Sequence, residues 1–328
     1  MASIRHDRQS YAARLNAFRA AGPDGCRTGI EAMIAAAGRV GGLTSADLNF
    51  PEHLAGENVD AISRALSDHG LALNGLAMRF AMPEFANGAF TNPDAAIRRE
   101  AIDLTRRGLD ILAEMGGSLM TLWMGQDGFD YAFQADYGVL WDRTVSALVE
   151  VADHNPDTNV AVEYKPNEPR AFALMPDVAT TLLGLCEADR PNLGITLDFA
   201  HSLYADEMPA HAACLVARHS RLLGVHLNDG YGKRDDGLMA GVVHPIQTVE
   251  LFVVLAGIGY DGVIYFDTFP DHSGLDPVEE CRTNLANTER LRMLAARLSD
   301  HVELRKAIAR QDAATSQRIV ARALFGAG

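Results

Sequence analysis

Val160-Ala161-Val162-Glu163-Tyr164-Lys165-Pro166-Asn167-Glu168-Pro169 decides the fold. It opens as an apolar run, turns to charge and then meets proline. That is the pattern of a buried strand whose last residues leave the sheet. Glu163 and Lys165 are two apart, so on a strand they point to one side. A carboxylate and an ammonium at the end of an apolar strand are costly to bury unless something pairs with them. Taken alone, they could be a structural ion pair. The pattern recurs in Leu193-Gly194-Ile195-Thr196-Leu197-Asp198, in Leu222-Leu223-Gly224-Val225-His226 and in Gly262-Val263-Ile264-Tyr265-Phe266-Asp267. Strands that each deliver a potential metal ligand at the C-terminal end point to a parallel barrel with its site on that face.

Outward from this stretch, strand-like and helix-like segments alternate along the chain, the signature of a parallel α/β fold. Strands are expected near Tyr11–Phe18, Leu43–Asn49, Leu71–Phe80 and Leu119–Met124, ahead of the four above. Helices are expected near residues 29–37, 59–69, 94–115, 140–154, 177–186, 210–218, 245–256 and 277–298. The third helix is read with Asn92 as cap, Pro93 in its first turn and Asp94 complementing the dipole. The polar and aromatic loop over residues 125–138 is long for a barrel and is expected to cover the site. The fold class is therefore α/β, a (β/α)8 TIM barrel with a C-terminal helical extension. One barrel domain spans residues 1–298, and a helical arm spans 299–328. The arm's apolar positions Leu304, Ile308, Ile319, Val320 and Leu324 lack a core in this reading. They are expected to pack on a neighbouring subunit in a homodimer or homotetramer.

The 328 residues, 48% hydrophobic and 22% charged, suit one barrel with extensions. The net charge of -14 argues against nucleic acid or an anionic membrane as partner. No apolar run approaches the ~20 residues of a membrane span. The N-terminus lacks an apolar segment of the signal-peptide kind, and a cytoplasmic location is expected. Cys26, Cys186, Cys214 and Cys281 are scattered and read as reduced, mostly buried thiols with no metal role.

Without any family in mind, the candidate ligands are Glu163, Asp198, His201, His226, Asp229, Asp235, Asp236 and Asp267. Oxygen-rich sites with some nitrogen suit Mn2+, Mg2+ or Co2+ better than a structural zinc. So many acids at one barrel mouth would repel each other unless divalent cations sat among them. Asp229, in Asn-Asp-Gly, could instead simply form a turn.

At these residues the sequence resembles the xylose-isomerase-like barrels, and most of all the L-rhamnose isomerases of the Pseudomonas type. The likeness runs through Phe90–Ala101, Leu119–Gly125, Glu163–Pro169, Leu197–His201, Val225–Asp229 and Phe266–Ser273. The resemblance implies a two-metal aldose–ketose isomerase acting on a free sugar, with Mn2+ expected and Co2+ or Mg2+ as alternatives. One metal would be held by Glu163, Asp198, His226 and Asp267. The catalytic second metal would be held by His201 and an aspartate pair after the seventh strand. That pair departs from the family pattern: an insertion leaves Arg234-Asp235-Asp236-Gly237, and either aspartate could take either place. Lys165 would stand beside the substrate oxygens. Trp123 would form part of the wall, and Phe129 would help exclude water, favouring the family's metal-assisted hydride shift. L-Rhamnose, a tetrose or a pentose such as apiose all fit. The rival readings are a keto-sugar 3-epimerase on the same barrel, a metal-dependent endonuclease disfavoured by the acidic charge, and a sugar-binding barrel that has lost catalysis.

Overall fold

A computed structural model of the chain describes residues 9–19 and 29–326. Eight parallel strands close into a barrel around one apolar core. They are β1 (Tyr11–Arg14), β2 (Ser45–Phe50), β3 (Ala72–Arg79), β4 (Leu119–Trp123), β6 (Asn159–Glu163), β8 (Leu193–Asp198), β9 (Leu222–Leu227) and β10 (Ile264–Phe266). Two short strands, β5 (Gly128–Phe129) and β7 (Phe172–Ala173), pair antiparallel outside the barrel and make a flap.

The outer layer is α1 (Ile30–Gly38), α2 (Val59–Asp68), α3 (Ala95–Glu114), α4 (Tyr137–His154), α5 (Val178–Ala188), α7 (Pro209–His219), α8 (Pro245–Ile258) and α10 (Pro277–Ser299). These are the eight expected helices. Every residue of β8 is buried, as a parallel strand covered by helices on one side and barrel interior on the other requires. On α2 the buried residues Ile62 and Leu66 are four apart, one helical face.

Several expectations change. Only Tyr11–Arg14 is strand, and Leu15–Phe18 tightens into a 3-10 turn. Asp94, not Asn92, caps α3, accepting from the Ala96 amide at 2.8 Å. Asn92 is spent on the preceding loop, donating to the Gly88 carbonyl at 2.8 Å and accepting from the Asp94 amide. Two short helices, α6 (Phe199–Tyr204) and α9 (Pro270–Ser273), follow β8 and β10 unforeseen.

The C-terminal extension is two helices, α11 (Val302–Ala309) and α12 (Ala313–Phe325), folded back onto their own chain. Leu304 joins the core, and Ile319, Val320 and Leu324 pack against it, while Val302, Ile308 and Phe325 stay exposed. Most of the arm's apolar residues thus find cover on their own chain. Of the described cysteines only Cys281 is buried; Cys186 and Cys214 are exposed, and Cys26 lies outside the described residues. No described helix is long and apolar enough to cross a membrane.

Candidate metal centre

The strand ends converge as their apolar runs demand. Glu163 closes β6, Asp198 closes β8, His226 lies on β9 and Asp267 follows β10. The register sets Asp198 directly beside His226. All four side chains are buried, and one donor atom from each lies within 4.8 Å of the others. His226 Nδ1 is 2.9 Å from Glu163 Oε1 and 3.9 Å from Asp267 Oδ2.

His201 enters from α6. Asp198 caps that helix, accepting from the His201 amide at 2.9 Å, and so turns the first helical turn toward the cluster. His201 Nδ1 faces the Tyr164 carbonyl at 3.1 Å. A carbonyl only accepts, so Nδ1 carries the hydrogen and Nε2 is left facing Asp235 Oδ2 at 3.2 Å. Asp235 also accepts from Lys165 Nζ at 3.1 Å. Its loop is turned by Gly237 at φ +57°, where a Cβ would fall 2.2 Å from the Phe269 ring.

Of the paired aspartates, Asp235 is the one that reaches His201 and Lys165. Asp236 is not brought to the cluster: its carboxylate accepts from the Tyr231 amide and Arg234 Nε, both at 2.8 Å, and stays within the loop. Asp229 also stays out, accepting from the Val243 and His244 amides and facing His244 Nδ1, which fastens the loop after β9. Glu163 and Lys165 do not pair with each other. Glu163 takes His226, and Lys165 takes Asp235 and Glu168, the latter at 2.9 Å. Trp123 lines the site cavity, with Lys165 Nζ 5.6 Å from its ring. Phe129 does not line that cavity. It stacks on Phe172 at 5.3 Å and meets Tyr137 at 4.7 Å, holding the flap together.

Three further residues shape the centre. Asn228, fully buried two residues beyond His226, donates to Asp198 Oδ2 and the Asp267 carbonyl and accepts from the Ala200 amide. Period-two alternation from His226 marks it. Arg14 ends β1 and lies 3.8 Å from Asp267 Oδ1. Asp47 on β2 is buried below the cluster, and burial pushes its carboxyl up to about 7 against the Asn74 hydrogen bond.

The electrostatics match a cation-binding centre. Burial would raise Glu163, but His226 overrides it and holds the carboxyl at about 2. Burial would lower both imidazoles; Glu163 lifts His226 to about 9, and Asp198 with Asp235 lifts His201 to about 10. Burial raises Asp198 to about 7. Protons thus collect where a cation would stand, and a bound metal would release them. Asp267 Oδ1 and Asp235 Oδ1 are buried without a hydrogen-bond partner among the described residues. Orphaned carboxylate oxygens beside imidazole nitrogens form a donor set that a hard divalent cation satisfies.

The family model for the xylose isomerase-like TIM barrel matches residues 27–292. The chain belongs to that family. A xylose isomerase from Thermus thermophilus is 30% identical over 216 residues, 64% of this chain and 56% of that protein, so the match spans just over half of that relative. A solved D-tagatose 3-epimerase-like protein superimposes with a TM-score of 0.69 at 17% identity, covering 86% of this chain and 98% of that one. An L-ribulose 3-epimerase gives 0.67 at 16% identity, covering 88% and 96%. D-Allulose 3-epimerase from Methylomonas sp. gives 0.65 at 20% identity, covering 86% and 97%. At these identities the structural likeness establishes the fold.

Proposed function

We propose that this chain is a divalent-metal-dependent aldose–ketose isomerase of the L-rhamnose-isomerase type, moving hydrogen between C1 and C2 of an open-chain sugar. The observation that carries the reading is the second group beside the buried quartet: His201 and Lys165, both held by Asp235. Glu163, Asp198, His226 and Asp267 would hold one cation, and His201 with Asp235 the other. Bound Mn2+, Co2+ or Mg2+ would supply Lewis-acid polarisation of sugar oxygens.

The chain's own residues do the rest. Lys165, held by Asp235 and Glu168, fixes a positive charge where negative charge develops on the substrate. Asn228 and the α6 turn hold Asp198 and His201 in place. Trp123 closes one wall against water. Asp235 is the acceptor that Lys165 and His201 share, and it positions them.

A keto-sugar 3-epimerase is the second reading. It is favoured by there being one four-ligand group among the described residues. One experiment separates the two. Protein stripped of metal and reloaded with Mn2+ is given a panel of aldoses and ketoses, the aldoses deuterated at C2. Ketose product from an aldose, with the label carried to C1, supports isomerisation by direct transfer. A ketose converted only to its C3 epimer overturns it.

A further inference from the structure

The cavity at the barrel mouth holds about 320 Å3. Glu163, Asp235 and Asp267 line it together with Arg14, Asn16, Asn49 and Arg79, which come from β1, β2 and β3 and the segments after them, and with Glu52. Glu52 is already engaged, accepting from Arg19 Nη2, Asn16 Nδ2 and Asn49 Nδ2. Arg14 is engaged too, donating to Asp271 Oδ1 at 3.0 Å and lying 4.8 Å over the Phe269 ring.

Arg79 is different. It closes β3 with its guanidinium carbon 4.9 Å over the Trp123 ring. Its Nε is buried with no hydrogen-bond partner, and among the described residues it forms no hydrogen bond or ion pair. Stacking uses the face of a guanidinium and leaves its in-plane N–H fork free. A desolvated donor without a partner is expensive, so the fork is built for something that enters. Its planar geometry matches a carboxylate or phosphate.

We propose that Arg79 is a specificity residue for an oxyanion on the part of the substrate that lies toward β3 and Trp123. The sugar is then an acidic derivative, a uronate-like carboxylate or a sugar phosphate, rather than a neutral aldose. The inference rests on the sugar-isomerase reading above for the rest of the substrate.

The test is titration calorimetry of the Mn2+-loaded protein with D-glucuronate, D-ribose 5-phosphate and their neutral counterparts D-glucose and D-ribose. At least one anion is expected to bind about tenfold or more tighter than its neutral counterpart, the scale of a hydrogen bond to a charged group. The uronate and phosphate arms tell which anion the site takes. Arg79→Gln is expected to weaken the anion about tenfold more than the neutral sugar. Arg79→Lys keeps the charge and loses the fork, so it is expected to weaken the anion by a smaller factor, and it carries the test if Arg79→Gln fails to fold. Equal binding of charged and neutral sugars, or an equal loss of both in Arg79→Lys, overturns the inference. Anion-selective binding that depends on Arg79, without any C1–C2 interconversion of the bound sugars, upholds it and instead overturns the isomerase reading.

Discussion

Lys165→Met separates a catalytic charge from a structural one. The ammonium lies 3.1 Å from Asp235 Oδ2 and 2.9 Å from Glu168 Oε2, and methionine keeps much of the stem. Glu168 is 41% exposed, so its share of the loss is at most about 1 kcal/mol. Asp235 is 12% exposed but keeps His201 at 3.2 Å, so it loses one of two cationic partners rather than being stranded. A hydrogen bond to a charged group contributes about 1.5–3 kcal/mol, and the recovered desolvation of the ammonium offsets part of that. The metal-free variant should therefore lose at most about 3 kcal/mol, a fall in Tm of roughly 5 °C or less. Lys165 touches none of Glu163, Asp198, His226 and Asp267, so the Mn2+ they bind should be retained. Turnover should drop about a hundredfold or more, the scale for one preorganised contact at developing negative charge. Metal content, calorimetric Tm and isomerisation rate are measured on one preparation. Near-normal turnover in the folded fraction, together with a larger fall in Tm, would refute the catalytic role. Lys165 would then be a bracket between the flap and the Asp235 loop.

Asp235→Ala should abolish at least 99% of activity, on the same scale of about a hundredfold, while Asp236→Ala, which breaks only loop contacts, should stay within about threefold of wild type. Equal effects in a steady-state assay would sink the assignment. Chelation should lower Tm and Mn2+ should restore it, since a ligand bound only by the folded state stabilises it; an unchanged melting curve would count against the quartet. The metal-free protein should lose stability as pH rises from about 6.5 to 10. His226 and His201 are raised to about 9 and about 10, so their contribution is full below the unfolded value and is lost as pH passes through the raised ones. Excess Mn2+ should reverse that slope, because deprotonated ligands bind metal better, and melting curves across the range check both signs. Removal of residues 300–328 should lower Tm by uncovering the face that Leu304, Ile319 and Val320 cover, with no change in particle size. A shift to smaller species in light scattering would support an inter-subunit arm.

A parallel strand covered on both faces must be apolar throughout, so a charge that ends one stands out against its background. That contrast makes Glu163, Asp198, His226 and Asp267 readable from sequence. His201 and Asp235 lack it. The first is aimed by an Asp198 cap that exists only once α6 has formed, and the second by a turn at Gly237 that presents one of two adjacent aspartates. The packing of the C-terminal helices is hard to read from sequence for another reason. Periodic apolar residues announce that a face is covered but not by whom, and here α11 and α12 fold back on their own chain. Arg14 and Arg79 were missed through too narrow a question. Both end a barrel strand just as Glu163 does, but a search for metal ligands looks for acids and histidines. Asking instead which strands end in any charge marks both arginines. It also sets the candidate ligands of β6, β8, β9 and the segment after β10 beside cations from β1 and β3. A cavity lined by both kinds of group is suited, on the reading proposed above, to a substrate that carries an anionic group as well as its reacting oxygens.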